Sequence, residues 1–192
     1  MTNQSTLVLI KPDGYQRSLA CTILARFESR GLAITEIRVS GGEAALVGQH
    51  YPADPEWLMA IGTATLSEYA DLGIDPAAAL GTTDPGQAGQ QVREWVIEYM
   101  LSAPIIAAVL QGDRAVAITR AMIGDTQPAH AAAGTIRGDY SSDSVRAASI
   151  EKRAVRNLVH ASGNPDEAAR ELALWFPGHD QDVTGNVGQC GR

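Results

Sequence analysis

The residue of this chain best suited to chemistry by its type and position is His160. Residues 156–167 read RNLVHASGNPDE, so this histidine closes a short apolar run and a helix start follows it. Near neutral pH many histidine side chains are unprotonated, and the free nitrogen lone pair is a nucleophile. A lone histidine at the end of a buried strand is more often structural than catalytic. Residues elsewhere in the chain must therefore decide its role.

Lys11 occupies a comparable position at the end of another apolar run. Residues 6–10, TLVLI, are stopped by KPDG at residues 11–14, which favours a buried strand that ends in a turn. A functional side chain at a strand end would face a cleft. By itself, however, Lys11 is equally compatible with a surface lysine whose aliphatic stem covers apolar surface.

The overall charge restricts the partners that long-range attraction could bring to the chain. There are 15 Lys and Arg residues against 22 Asp and Glu residues, for a formal net charge of −7. This balance opposes non-specific binding to nucleic acid or to an anionic membrane, and we expect neither as a partner. An anion site must therefore come from a local concentration of cationic groups.

The cysteines and the N-terminus point to a cytoplasmic protein. Cys21 and Cys190 form no CxxC pair and no metal-ligand spacing, so a reduced setting is the simplest reading, although a disulfide stays open. The N-terminal residues lack the basic and long apolar regions of a secretion signal, and no stretch reaches the ~18 apolar residues of a membrane span.

The apolar patterns predict strands that alternate with helices in one domain. Such an order suggests an α+β sandwich with helices on one face of a four-stranded sheet. The clearest helix start has Asn164 as the cap, Pro165 in the first position and Glu167 in the third. Strands are expected at residues 6–10, 32–40, 104–110 and 158–160, and helices at residues 19–31, 43–49, 113–123 (with Asp113 as its cap) and from 164 onward.

The middle of the chain differs in composition, because it contains three Asp-Pro pairs. Each of these pairs can supply an aspartate cap followed by proline in the first helical position. Two or three short helices are therefore expected between Pro52 and about Gly89, and the last should continue through an apolar stripe that ends at Met100. The pairs are Asp54-Pro55, Asp75-Pro76 and Asp84-Pro85.

Six motifs, in family order, resemble those of nucleoside diphosphate kinases. They are LIKPDG at 9–14, HY at 50–51, GDTQP at 124–128, GTIRGDY at 134–140, RNLVHAS at 156–162 and ELALWF at 171–176. The resemblance implies a ferredoxin-like α+β fold, with helices packed on a four-stranded antiparallel sheet, plus a helical insertion, within a single domain over residues 1–192.

The resemblance also implies an activity. The chain would be a transferase of nucleotide metabolism that moves the γ-phosphoryl group from a nucleoside triphosphate to a diphosphate by a ping-pong mechanism, through a phosphohistidine on His160. ATP and other nucleoside tri- and diphosphates would be its ligands. Mg²⁺ would arrive with the nucleotide and not in an all-protein metal site. A homo-oligomer, either a hexamer or a tetramer, would be expected.

Motif by motif, the resemblance assigns the catalytic residues. Glu171 would orient and polarise the ring of His160, Ser162 would lie close to it, and Tyr51 would line the same pocket. Lys11 would contact the sugar 3′-hydroxyl and the transferring phosphate.

The remaining assignments concern nucleotide binding. Arg120, Thr126 and Arg137 would bind the phosphates, and Asn157 a sugar hydroxyl. With Lys11, the two arginines would provide the local positive field that the acidic chain otherwise lacks. The remaining histidines, His50, His130 and His179, are expected to be structural or exposed.

Two segments are longer than the family pattern, at about residues 52–95 and 141–153. Both would flank the nucleotide pocket, so the base preference stays open. The residue that stacks on the base and a nearby phosphate-binding arginine of the family also stay unassigned; the candidates for these two roles are Trp57, Tyr69, Trp95 and Arg93. These insertions also leave an alternative open, namely a catalytically silent nucleotide-binding or regulatory module of the same fold.

Overall fold

The computed structural model describes residues 3–179, and a four-stranded antiparallel sheet lies at its centre. The order of the strands across the sheet is β2-β3-β1-β4, so β1 pairs with both β3 and β4. This is the ferredoxin-like α+β arrangement that was expected. The strands are β1 (Asn3–Ile10), β2 (Ala33–Ser40), β3 (Ile105–Asp113) and β4 (Val159–Ala161).

Helices connect the strands throughout the described residues. The first five are α1 (Pro12–Gln16), α2 (Ala20–Ser29), α3 (Ala44–His50), α4 (Pro55–Leu72) and α5 (Pro76–Leu80). The next five are α6 (Pro85–Leu101), α7 (Ala115–Ile123), α8 (Ile136–Tyr140), α9 (Val145–Ile150) and α10 (Pro165–Trp175), with a short 3₁₀ helix at Pro128–His130. No helix within residues 3–179 is long and apolar enough to cross a membrane.

Helices cover both faces of the sheet, so the expectation of a single covered face was wrong. Val8 and Ile10 of β1 point into one apolar cluster, which α2 and α7 complete. Leu7 and Leu9 point into a second cluster, together with side chains of α3, α6 and α10. All four side chains are fully buried. A continuous apolar run such as TLVLI is what a strand covered on both faces requires.

The three Asp-Pro pairs each begin a helix, as expected. The carboxylates of Asp54, Asp75 and Asp84 accept backbone N–H groups in the first turns of α4, α5 and α6. The expected short helices include a long one, because α4 runs for 18 residues. The predicted cap of the last helix is also confirmed, since Asn164 accepts the N–H of Glu167 at 2.9 Å.

A third apolar cluster joins the two segments that were expected to be insertions. Tyr69 of α4, Leu80 of α5 and Ala88 of α6 are buried in it, and Val145 of α9 packs against them. Beside the cluster, the guanidinium of Arg146 in α9 donates to the carbonyl oxygen of Leu72 at the end of α4. The helical segment after residue 54 and the segment before β4 are therefore in direct contact.

Three local predictions differ from the structure. Asp113 does not cap α7, because β3 continues through it and Arg114 takes the cap position with a φ of 50°. KPDG begins the short helix α1 and is not a simple turn. Residues 141–153 contain α9, which Ser144 caps. Most of the tail after Trp175, including Cys190, lies outside the described residues.

Candidate active site

His160 lies in the middle of β4, opposite Leu9 of β1, and its ring is hydrogen-bonded to Glu171 of α10. The Nε2 atom is 3.1 and 3.0 Å from the two carboxylate oxygens. Ser162 Oγ donates to the same carboxylate at 2.7 Å. Because a carboxylate accepts, Nε2 carries the ring proton and Nδ1 keeps a free lone pair. The capped start of α10 is what brings Glu171 back to the strand.

Burial determines the charge state of this pair. It lowers the pKa of His160 to about 3, with a further contribution from the nearby Lys11 ammonium. Burial also raises the pKa of Glu171, whose side chain is almost completely enclosed. His160 is therefore a neutral imidazole at physiological pH, in the protonation state that a nucleophile needs.

Lys11 and Asn157 form a second hydrogen-bonded pair. Lys11 Nζ donates to Asn157 Oδ1 at 2.7 Å, and Asn157 Nδ2 donates to the carbonyl oxygen of Thr126 at 2.9 Å. Burial, followed by repulsion from Arg137, lowers the pKa of Lys11 to about 7. Near neutral pH the Lys11 side chain is consequently a mixture of the charged ammonium and the neutral amine when no nucleotide is bound.

Arg137 is buried and is bound mainly to backbone. Its Nε donates to the carbonyl of Asn157, Nη1 to those of Gly124 and Asp125, and Nη2 to that of Val159, at 2.6–3.1 Å. A guanidinium has five N–H groups, so this network leaves one of them for a phosphate. Burial and the neighbouring Arg120 lower the pKa of Arg137 to about 10.

Arg120 and Thr126 are more accessible. Arg120 is exposed on α7, where its Nη1 donates to the carbonyl of Ala161, the residue after His160, at 3.3 Å. Thr126 is exposed too, and its backbone oxygen holds Asn157. The structure thus brings Lys11, Arg120 and Arg137, which come from separate parts of the sequence, to the surroundings of His160.

His50, expected to be structural or exposed, is buried and lies directly beside His160. Its ring lies perpendicular to that of His160, with centroids 4.7 Å apart. Tyr51 is one ring further away, 4.6 Å from His50. Burial raises the pKa of the Tyr51 hydroxyl. The sequence signal for His50 is the HY motif at residues 50–51, in which the resemblance gives a role to Tyr51 alone.

The contacts of His50 fix its tautomer. Trp175 Nε1 donates to His50 Nδ1 at 3.2 Å, and an indole can only donate, so Nδ1 is unprotonated. Burial lowers the pKa of His50 to about 3. The 3.6 Å separation of Nδ1 from Glu171 Oε1 is therefore a contact with a neutral ring and not an ion pair.

The other two histidines lie outside this group. His130 is exposed at the end of the 3₁₀ helix, and His179 contacts Glu36 of β2. Neither contacts His160 or Glu171 in the part of the chain that the structure describes.

The candidates for the base-stacking residue and for the additional phosphate-binding arginine are in different environments. Tyr69 is buried in the third cluster, and Trp95 packs against it. Arg93 donates to the carbonyl oxygens of Tyr51 and Gly48. Trp57 is half-buried, with its ring 6.5 Å from that of Tyr51. Trp57 is therefore an aromatic candidate whose ring lies beside that of Tyr51, close to the residues around His160.

The donor atoms of His50, His160 and Glu171 lie within 4.8 Å of one another. Two of the three donors are nitrogens, whereas Mg²⁺ prefers oxygen ligands. The closeness follows from the His160–Glu171 hydrogen bonds, and this donor set does not suit Mg²⁺.

Comparison with known proteins agrees with this geometry. The family model described as nucleoside diphosphate kinase matches residues 4–56 and 85–181. The nucleoside diphosphate kinase of Pyrobaculum aerophilum is 44% identical over 176 residues, covering 92% of this chain and 96% of the relative. That of Mycobacterium tuberculosis is 35% identical over 176 residues, covering 91% and 98%.

Solved structures show the same similarity. The crystal structure of an NDP kinase from Pyrobaculum aerophilum has a TM-score of 0.89 at 42% identity and covers 94% of this chain and 99% of that one. A transition-state mimic of the Borrelia burgdorferi nucleoside diphosphate kinase, with bound vanadate and ADP, has a TM-score of 0.74 at 26% identity and covers 98% and 95%. The chain therefore belongs to the nucleoside diphosphate kinase family of phosphotransferases.

Proposed function

We propose that this kinase works by a two-step exchange in which His160 Nδ1 carries the phosphoryl group. The Nδ1 lone pair attacks the γ-phosphorus of a triphosphate, the bond to the bridging oxygen breaks, and the diphosphate leaves. A second diphosphate then attacks the phosphohistidine in the reverse sense. The observation that carries this proposal is the bonding of Nε2 to Glu171, which leaves Nδ1 unprotonated, so no proton has to leave the attacking atom.

Glu171 contributes most once the ring is phosphorylated. The imidazole then carries positive charge, and the buried carboxylate stabilises this charge through Nε2–H in a site with little water. Ser162 holds the carboxylate in place. Glu171 therefore orients the ring in the free enzyme and stabilises charge in the transition state.

The cationic residues bind and neutralise the nucleotide. Phosphoryl transfer depends mainly on positioning and on charge stabilisation around the transferring oxygens. Lys11 binds the transferring phosphate and the sugar 3′-hydroxyl beside Asn157, while Arg120, Thr126 and the free N–H of Arg137 bind the other phosphate oxygens. Tyr51 closes the pocket on the side of His50. The Borrelia burgdorferi relative captured with ADP and vanadate supports ADP as the leaving nucleotide.

Mg²⁺ would enter with the nucleotide and would neutralise phosphate charge. It would be held by phosphate oxygens and water, because the side chains around His160 offer mostly nitrogen or cationic groups and Mg²⁺ prefers oxygen ligands.

We also infer a cytoplasmic location, because the cysteines show no disulfide or metal pattern. We infer a closed homo-oligomer as well, a hexamer or a tetramer, since most soluble oligomers are closed and symmetric. Light scattering of the purified protein would establish the number of subunits.

Labelling with γ-³²P-ATP tests the central proposal. The wild-type protein should acquire an acid-labile, base-stable label that a nucleoside diphosphate removes. His160→Ala should remain unlabelled, whereas His130→Ala, a change at an exposed histidine, should label normally. Absence of label on the folded wild type, as the catalytically silent alternative requires, or equal label on His160→Ala, would overturn the proposal.

A further inference from the structure

The backbone makes a strained turn two residues before His160. Leu158 has a φ of +66°, and the N–H of Val159 donates to the carbonyl of Asn157 at 2.7 Å. A bond between residues i and i+2 around a positive φ is the rare and strained form of the γ-turn. Leu158 is fully buried and has none of the freedom of glycine at positive φ. Some other contact must hold this conformation.

Hydrogen bonds hold the peptide groups on both sides of Leu158. Its N–H donates to Asp13 Oδ2 at 3.2 Å, and its carbonyl accepts the N–H of Lys11 at 2.8 Å. The carbonyl of Asn157 also accepts Arg137 Nε at 3.1 Å. The turn is therefore bonded to α1 on one side and to Arg137 on the other.

Asp13 is the side chain that ties this turn to the rest of the fold. It is buried in the first turn of α1, and its other carboxylate oxygen accepts the hydroxyl of Tyr99 in α6. The fit is close, because a Cβ on the neighbouring Gly14 would lie 3.0 Å from the carbonyl oxygen of Leu158. Asp13 thus joins α1, α6 and the turn at one buried point.

The position of the turn determines how two site residues face the pocket. Asn157 precedes Leu158 and bonds to Lys11, while His160 follows it by two residues. If Leu158 relaxed to a negative φ, the peptide groups on both sides would rotate, and Asn157 would move relative to His160. We propose that Asp13 is a positioning residue for phosphoryl transfer. Its carboxylate holds the strained turn at Leu158, and this turn orients Asn157 and His160 toward the same pocket. This inference rests on the proposed role of His160.

The first test is Asp13→Asn, which keeps the size of the side chain. It replaces one acceptor oxygen with an NH₂ group and removes the charge that strengthens the hydrogen bond from the Leu158 N–H. The single-turnover rate of phosphorylation by ATP should fall by about tenfold, the factor that corresponds to the strain of one left-handed residue. The Asp13 charge raises the pKa of Lys11, which burial lowers to about 7, so the measurement belongs at pH 5, where Lys11 stays largely charged in the variant too. Asp75→Asn makes the same change at an exposed helix cap, where asparagine serves equally, and should leave the rate unchanged.

Two further variants separate the turn from other effects. Leu158→Gly in the Asp13→Asn background should recover part of the rate, because glycine adopts positive φ without needing the hydrogen bond to the Asp13 carboxylate. Tyr99→Phe keeps the Asp13–Leu158 bond and should reduce the rate less than Asp13→Asn does. An undiminished rate in folded Asp13→Asn, no recovery in a folded double variant, or an equal loss in Tyr99→Phe would overturn the proposal.

A crystal structure of Asp13→Asn gives a test that does not depend on the stability of the double variant. Residue 158 should leave the positive-φ region or lose its hydrogen bond to residue 13. An unchanged turn in a variant with a tenfold lower rate would overturn the proposal. Mapping the label on the wild type distinguishes the two hypotheses. Label on a residue other than His160 contradicts the proposed function, but not the role of Asp13 in holding the turn at Leu158.

Discussion

At the scale of single residues, burial sets the charge states of the proposed nucleophile, His160, and of the nearby Lys11. His160 has a pKa of about 3 and is neutral, while Lys11 has a pKa of about 7. For both groups the largest cause is the removal of water from the charged form. The free enzyme is therefore best prepared between these two values, with a neutral ring and a charged ammonium.

This pair of pKa values predicts a pH profile for the free enzyme. The value of kcat/KM for ATP should fall as the pH rises through about 7, because Lys11 loses the charge that binds the phosphate. A fall on the acidic side should occur only towards pH 3, where His160 takes up a proton. In Lys11→Arg the guanidinium stays charged, so the alkaline fall should disappear even if the rate is lower. Steady-state assays from pH 5 to 9 would show this, and a flat wild-type profile would contradict it.

A second prediction concerns the carboxylate of Glu171. Glu171→Gln keeps the shape of the side chain but removes its charge, so the positive ring of the phosphohistidine loses its stabilisation. The rate of phosphorylation should fall by roughly 10- to 100-fold, since a hydrogen bond to a charged group contributes about 1.5–3 kcal/mol.

Ser162→Ala is the matched comparison for that change, because it removes one neutral donor from the same carboxylate. Its effect should be smaller than that of Glu171→Gln. Rapid-quench measurement of phosphohistidine formation distinguishes the two variants, and the reverse order would argue against a charge-stabilising Glu171.

At the scale of elements, α4 and α6 cross with their backbones in contact. A Cβ on Gly62 would overlap the carbonyl oxygen of Pro85, and one on Gly89 would overlap that of Leu58. Gly62→Ala and Gly89→Ala should therefore each lower the free energy of unfolding by ~1–3 kcal/mol, the usual cost of overpacking. Gly48→Ala, within α3 and with nothing near its Cβ, should instead stabilise by up to ~1 kcal/mol. Chemical denaturation measures all three, and a stabilised Gly62→Ala would contradict this crossing.

Elements with a local signal could be predicted from the sequence. The caps at Asp54, Asp75, Asp84 and Asn164 depend on neighbouring residues only, and each was found. Helices α1 and α9 have only five and six residues, too short for an apolar period to show. The crossing at Gly62 and Gly89 depends on which helices meet, and one helix sequence does not contain that information.

The candidate site divides in the same way. Motifs located His160, Glu171 and Lys11, because residue type and order were sufficient. The role of His50 depends on Trp175, 125 positions away, and that of Asp13 on a backbone group 145 positions away. Such contacts exist only after folding, so sequence spacing carried no sign of them.

At the scale of the whole molecule, an acidic chain gathers cationic groups at one place. The net charge is −7, yet Lys11, Arg120 and Arg137 lie close enough to lower the pKa of His160. Lys11 follows β1, which pairs with β4, and Arg120 of α7 and Arg137 of α8 donate to carbonyls of β4. The topology therefore collects these charges from distant parts of the sequence. The field for polyphosphate is local, as the composition required.

The single domain with insertions at about 52–95 and 141–153 stays a prediction, and a deletion can test it. Residues 57–84 lie between the two segments that the family model matches. They include Trp57 and Tyr69, the candidates for base stacking, but none of the residues proposed to carry or bind the transferring phosphate. Replacing residues 57–84 with a short Gly-Ser linker should preserve labelling of His160. The Tm should fall by about 10 °C, because uncovering Ala88 and Trp95 costs ~3 kcal/mol. A folded deletion variant without label would show that the segment takes part in catalysis.

The contact between α4 and α9 has a consequence for anyone who would transplant these segments into a shorter relative. Arg146 donates to the carbonyl oxygen of Leu72, the last residue of α4, and Val145 packs against the cluster that contains Tyr69 and Leu80. A graft of residues 57–84 alone would carry an uncovered apolar face and a helix end without its arginine. The segment at 57–84 and the segment that contains α9 therefore form one structural unit, although they are separate in sequence. A transfer that preserves the fold has to move both segments together.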